Sequence, residues 1–392
     1  MRIDEIIAAD GDPVFSFEFF PPKTEEGERN LYEALAALRA LEPAFVSVTW
    51  GAGGSTREKT IEIVRNIRAA HGLEAMAHFT CVGATVEDLR GALDQMRAAG
   101  IDNVLTLRGD PPRGETAFVQ TEGGLRYASE LASLAVDGYD FCLVGACYPE
   151  VHPEAADRAS DLAHLKEKVD AGVKVLITQL FFDNEAYFRF VEDARAAGID
   201  VPIVPGIMPI TNAEQIKRFT SMCGATIPAP LLDALDARKN DPEAVIDLGV
   251  AYATLQCAEL LARGAPGIHF YTLNRSPSTR AILSALRLQR PWERRAGGEP
   301  ALGALARRSA PHSAIAAIRS AIRPAIEPER CGCGTSSAAV AFTRATTAVV
   351  VRRAKRSLTP ISAASRSQAD RSTSAISRAP SMRIASRVVN PS

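Results

Sequence analysis

The first regular pattern in the chain is Phe15-Ser16-Phe17-Glu18-Phe19-Phe20-Pro21-Pro22. Its alternation predicts a buried strand over 14–20, with Phe15, Phe17 and Phe19 on one face and Ser16, Glu18 and Phe20 on the other. The Pro-Pro pair ends it, because proline has no backbone donor for further pairing. From there, short apolar runs alternate with amphipathic stretches. The runs predict further strands at 45–50, 75–81, 103–109, 141–148, 175–182, 203–209 and 267–274. The 3.6-residue periodicity between them predicts helices at 28–41, 57–71, 86–99, 124–136, 160–171, 184–197 and 213–222, with more at 230–238, 242–263 and 278–288. His71-Gly72, Ala99-Gly100, Ala171-Gly172 and Ala197-Gly198 are the stops expected after helices. Eight βα units in about 290 residues match an α/β fold of the (β/α)8 barrel type in count and length. A doubly wound sheet often carries a glycine fingerprint in its first turn, where this chain has Pro21-Pro22-Lys23-Thr24.

The rhythm stops near residue 298. Ala, Ser and Arg then dominate, and Phe342 is the one aromatic. Of 45 basic and 46 acidic residues, 15 and 3 lie from Ala301 onward, so that part carries about +12 and the part before it about −13. Such text buries too little apolar area to offset its ordering entropy, so residues 296–392 read as a mostly disordered basic tail on a 1–295 domain. A weak helix at 313–322 and a β-prone run at 347–351 are possible local exceptions. Clustered cations attract phosphates, but without interleaved aromatics or a recognised module nucleic acid is an unfavoured partner.

Hydrophobic residues make up 46% and charged residues 23%, as in soluble globular proteins. There is no run of about 18 apolar residues, and Met1-Arg2-Ile3-Asp4-Glu5 does not resemble a signal peptide, so a cytoplasmic protein without a membrane partner is expected. Most of the seven cysteines lie in apolar strand or helix patterns and read as reduced core residues. Cys331-Gly332-Cys333 lacks a second pair or a nearby His, so no metal is expected.

In a barrel, chemistry collects where strands end and βα loops begin. Those positions hold Glu18; Ser47 and Thr49, running into 50–56; His78 and Thr80; Arg108-Gly109-Asp110; Tyr148 through Pro153; Gln179 in the sixth strand; and Arg275 after the eighth. Glu18, walled by aromatics, is expected to have a raised pKa and to serve as an acid, or else to be salt-bridged at a strand end. The 51–56 loop could cradle a phosphate or be a plain tight loop. His78 could be a core histidine, Arg108 with Asp110 a structural ion pair, and Gln179 a hydrogen-bond partner for a neighbour. Convergence favours a site, because polar groups at one end of six or more strands are costly to bury without a use. No nucleophile elbow or Ser/His/Asp set is present, so one carboxylic acid with a bound organic cofactor or substrate is the expected chemistry.

Seven segments in order resemble the 5,10-methylenetetrahydrofolate reductase family in its bacterial, single-domain form. They are Phe17 to Pro22, Val48 to Ser55, Leu107 to Asp110, Tyr148 to Pro153, Ile177 to Asp183, Pro205 to Pro209 and Phe270 to Arg275, within roughly residues 1–292. The resemblance implies a barrel that binds FAD noncovalently and is reduced by NADH or NADPH. Methylenetetrahydrofolate would then bind over the same flavin face, probed in turn by both substrates. Glu18 is implied as the acid that opens the folate's five-membered ring to an iminium, with hydride delivered from flavin N5, and Asp110 as the second catalytic residue, near flavin and pterin. Implied flavin contacts are Thr49, Trp50, Ala52, His78, Arg108, Gly109, Asp110, Ala128, Tyr148, His152, Asp161, His164 and Lys168, the lysine facing the diphosphate. Gln179, Gln215, Phe219 and Arg275, with Asp110, are implied for substrate. Trp50 stands where the family has Tyr, and His164 where Asn is usual. The tail has no counterpart in the bacterial family. A homo-oligomer is also expected. The rival barrels are a proline dehydrogenase-like flavin oxidase, disfavoured by Glu18 with Gln179 and Arg275, and a phosphate-binding lyase, which would need a strand-end Lys.

Overall fold

A computed structural model of the chain describes residues 1–9, 11–51, 56–110 and 118–296. Ala52, Cys331, Cys333 and the local elements expected near 313–322 and 347–351 lie outside them.

The strands are β1 (Val14–Phe19), β2 (Phe45–Val48), β3 (Ala75–Thr80), β4 (Asn103–Leu107), β5 (Cys142–Cys147), β6 (Val173–Thr178), β7 (Ile203–Val204), β8 (Gly206–Ile207) and β9 (Gly267–Tyr271). All pairings are parallel, and the order is β7-β6-β5-β4-β3-β2-β1-β9-β8. β7 and β8 flank Pro205, so one chain segment pairs with β6 through its first half and with β9 through its second, closing the ring. This is the expected eight-stranded barrel with its seventh strand broken. Pro205 has no N–H to give; its carbonyl takes the His269 N–H at 2.9 Å, and the Gly206 N–H turns to Thr178 Oγ1 at 2.9 Å. Gly206 has no room for a side chain, since a Cβ there would stand 2.3 Å from the Thr178 carbonyl oxygen.

The helices are α1 (Ile3–Ala8), α2 (Glu25–Arg39), α3 (Arg57–His71), α4 (Val86–Ala98), α5 (Ala128–Val136), α6 (Arg158–Asp170), α7 (Asn184–Ala196), α8 (Ala213–Cys223), α9 (Ala229–Asp236), α10 (Pro242–Ala262) and α11 (Pro277–Gln289). Side-chain caps set several starts: Thr24 accepts from the Gly27 N–H, Asn212 from Gln215, and Thr85 and Asp88 form a reciprocal box. α5 begins at Ala128 rather than 124, because Gly124 bridges Thr85 in antiparallel fashion and the Val86 N–H bonds to the Gly123 carbonyl. α1 has no strong periodicity and was not expected. It plugs one mouth of the barrel: Ile3 is buried with Phe45, Met76 and Val144, and its N–H bonds to Asn103 Oδ1 at 2.8 Å.

Two apolar layers result. Phe15, Phe17 and Phe19 lie in the outer layer together with Leu31, Leu35 and Leu38 of α2, while the inward positions of the strands fill the barrel. α10 is long and apolar enough to cross a membrane by length and composition, but Val245, Val250, Cys257, Leu260 and Leu261 are buried within the fold.

Candidate active site

Glu18 is the next-to-last residue of β1 and points into the barrel, with 6% of its surface exposed. The aromatics of its own strand face the other way, so they are not its walls. Two imidazoles are its neighbours instead: Oε2 lies 3.4 Å from His78 Nε2 and 3.6 Å from His269 Nε2. His269 Nδ1 is held 2.8 Å from Ser16 Oγ, its cross-strand partner on the same face. Burial drives the His78 pKa down to about 4, against the upward pull of Glu18, so this ring is neutral at pH 7. His78 Nε2, Ser47 Oγ and Thr80 Oγ1 are buried without a hydrogen-bond partner among the described residues, and all three belong to β2 and β3. Buried polar atoms are normally satisfied, so these three have hydrogen-bonding capacity left over.

At the end of β4, Arg108 donates twice to Glu154, both bonds at 2.6 Å, and its guanidinium lies 4.9 Å from the Phe118 ring centre. The ion pair is therefore not with Asp110, which is exposed. The paired hydrogen bonds hold the Glu154 carboxyl below its ordinary range and raise Arg108. Gly109 follows with φ 91°, and a Cβ there would stand 2.5 Å from Val82 Cγ1. Beyond β5, Tyr148 and His152 meet edge to face at 4.6 Å. His152 Nδ1 accepts the Glu154 N–H at 3.0 Å, and its own backbone N–H goes to Asp161 Oδ2 at 3.1 Å. Burial, reinforced by Arg108, lowers the His152 pKa, so the neutral ring carries its proton on Nε2. Lys168, on α6, gives its ammonium to the Ala146 carbonyl at 2.7 Å, and burial lowers its pKa.

A third group forms a cavity of about 130 Å³ lined by Gln215, Tyr271, Thr272, Leu273 and Arg275, among others. Tyr271 joins it to the first group: it is in register with Glu18, packs edge-on against His269 at 5.4 Å, and donates to the Thr178 carbonyl at 2.6 Å.

Residues 2–287 match the family model described as methylenetetrahydrofolate reductase. The chain belongs to that family. It is 42% identical over 313 residues to methylenetetrahydrofolate reductase (NADH) 1 of Arabidopsis thaliana, an alignment covering 74% of this chain and 53% of the plant protein. It is 42% identical over 271 residues to 5,10-methylenetetrahydrofolate reductase of Escherichia coli K12, covering 69% of this chain and 90% of that one. The chain thus spans about half the length of its plant relatives and nine-tenths of the bacterial one. Among solved structures, an uncharacterized Clostridium thermocellum protein that binds two copies of 5-methyl-5,6,7,8-tetrahydrofolic acid aligns with TM-score 0.52 at 17% identity, over 74% of this chain and 99% of that one. That likeness concerns the fold.

Gln215 and Arg275 share the cavity, whereas Phe219 packs in the cluster of Leu180 and Phe182. Gln179 is one residue past β6 rather than within it, and its Oε1 accepts the Leu180 N–H at 2.8 Å. The Thr49 N–H bonds to the Phe19 carbonyl at 2.9 Å, so Thr49 follows β2 beside the Glu18 strand. The Trp50 indole is buried edge-on against Phe79 at 5.4 Å, in the layer between barrel and helices. Ala128 opens α5, and the Tyr127 ring just before it stacks on His164 at 6.4 Å. Among the described residues, no group of three or more His, Cys, Asp or Glu is placed to hold a metal.

Ser16, His269, Tyr271, Tyr127 and Glu154 were missed. For three of them a signal existed: alternation puts Ser16 on the Glu18 face and groups His269 with Tyr271 on one face of the last strand.

Proposed function

We propose that this chain reduces 5,10-methylenetetrahydrofolate to 5-methyltetrahydrofolate, with FAD as resident cofactor and a reduced nicotinamide as electron source. The observation that carries the reading is Glu18: a buried carboxylate at a barrel strand end, against two imidazoles, in a chain of this family. The plant relatives bear NADH in their names, which supports NADH over NADPH.

The residues fit a flavin. Orphaned His78 Nε2 and Thr80 Oγ1 offer polar atoms at the β3 end, and Arg108, His152 and Lys168 offer donors beyond β4 and β5. Thr49, Gly109, Asp110, Tyr148 and Asp161 complete its holding set, with Ala128 and His164 toward the α5 and α6 starts. When bound, FAD supplies the redox chemistry, accepting hydride from the nicotinamide and later giving it to the folate's one-carbon unit, so that the two substrates use the site in turn.

The chain supplies the proton. Glu18 Oε2 gives it to N10 of the bridged folate, which breaks the N10–methylene bond and leaves the substrate an iminium at N5 that hydride converts to methyl. His78, kept neutral by burial, stands beside Oε2 without adding a positive charge to the site. Asp110, with Gln179 and Gln215, would hydrogen-bond the pterin, Phe219 would stack on a substrate ring, and Arg275 would take the glutamate carboxylate.

The test is the visible spectrum of the purified protein under anaerobic titration. A yellow protein that bleaches with NADH and regains colour with methylenetetrahydrofolate meets the proposal. A protein that cannot take up FAD, or one whose bleached form folate leaves unchanged, overturns it.

A further inference from the structure

Arg275 reaches the cavity from an unusual turn. Register between β1 and β9 ends at Glu18 and Tyr271, and the chain then folds back so that the Arg275 N–H meets the Thr272 carbonyl at 2.9 Å. The two central residues of this turn are both left-handed, Leu273 at φ 51° and Asn274 at φ 57°. Asparagine tolerates that region; a leucine there is strained and needs outside support.

The support comes from β1. Asn274 Oδ1 accepts the Phe20 N–H at 2.8 Å, and Asn274 Nδ2 donates to the Phe20 carbonyl at 2.9 Å. One side-chain amide thus occupies both hydrogen-bonding groups of a residue just past the strand. Thr272 Oγ1 adds a bond to the Glu18 carbonyl at 2.5 Å. The turn that presents Arg275 is thereby fastened to the backbone of the proposed acid and of the residue two places on. Arg275 itself is exposed at the cavity, and its guanidinium makes no hydrogen bond or ion pair among the described residues.

We propose that Asn274 is a positioning residue for the substrate: its paired hydrogen bonds to Phe20 hold the left-handed turn and so keep Arg275 where the carboxylate end of the folate binds. This rests on the proposed folate reduction. Asn274 touches no reacting atom, so its removal should weaken substrate binding and spare the chemistry.

The experiment compares N274A, N274D, N274G and R275A, and the N274A/R275A double variant, in the flavin-loaded enzyme. The readouts are KM and kcat for methylenetetrahydrofolate and the rate of anaerobic bleaching by NADH. N274A is expected to raise the folate KM about three- to tenfold, the worth of one or two hydrogen bonds, with kcat and bleaching within about twofold of wild type. N274D keeps one acceptor and should fall between. N274G adopts the turn without strain but lacks the amide, so its KM should also rise. In the R275A background, N274A should add nothing. A wild-type KM in N274A or N274G, an equal loss of bleaching, or additivity in the double variant would overturn the inference while wild-type turnover still upheld the reductase reading. A wild-type protein without folate turnover would sink both.

Discussion

Glu18 Oε2 and His78 Nε2 lie 3.4 Å apart inside the barrel, yet His78 Nε2 has no hydrogen-bond partner among the described residues. The pair is close without being locked. A protonated His78 would form an ion pair with the carboxylate, but burial keeps the ring neutral.

Replacing that acid separates the two halves of the proposed reaction. Glu18→Gln should keep bleaching by NADH near the wild-type rate. Recovery of colour with methylenetetrahydrofolate should slow by about 10²- to 10⁴-fold, the usual worth of a positioned general acid. Stopped-flow absorbance of each half-reaction checks this, and equal slowing of both would count against an acid role.

The depressed His78 pKa makes stability depend on pH. An unfolded histidine binds its proton below about 6.5, whereas His78 in the folded chain stays neutral down to about 4. The unfolded state then holds more protons, so stability should fall as pH drops from about 6.5 to about 4, by up to about 3 kcal/mol from this group. Urea unfolding at several pH values, on wild type and His78→Gln, tests it; the variant should show a flatter dependence over that window.

Barrel closure at Gly206 leaves no space. Gly206→Ala would put its Cβ 2.3 Å from the Thr178 oxygen and 2.5 Å from Tyr271 Oη. A loss of about 2–4 kcal/mol is expected, read as a lower urea midpoint at unchanged slope. An unchanged midpoint would show that the broken strand yields easily.

The Arg108–Glu154 pair should matter for ligand rather than for stability. Glu154 is 55% exposed, so solvent screens the pair and Glu154→Gln should cost under about 1 kcal/mol on unfolding. With its guanidinium no longer aimed by two hydrogen bonds, Arg108 should hold flavin about three- to tenfold less tightly, measured by fluorescence titration of the apoprotein with FAD.

Much of this molecule was legible in its text. The contrast between two-residue and 3.6-residue periodicity is local, so the βα rhythm, the inward face of Glu18 and the outward face of its phenylalanines follow from the chain alone. The order of motifs along the chain likewise carries the family. Tertiary structure decided the rest, because it depends on which distant segments meet. His269 and Ser16 come together only when β9 pairs with β1 and closes the ring. Arg108 turns to Glu154 instead of the nearer Asp110 because the β4 and β5 ends are neighbours in the sheet. The broken seventh strand, the α1 plug and the Asn274 clamp are likewise long-range bargains over backbone hydrogen bonds, which periodicity within a segment does not encode.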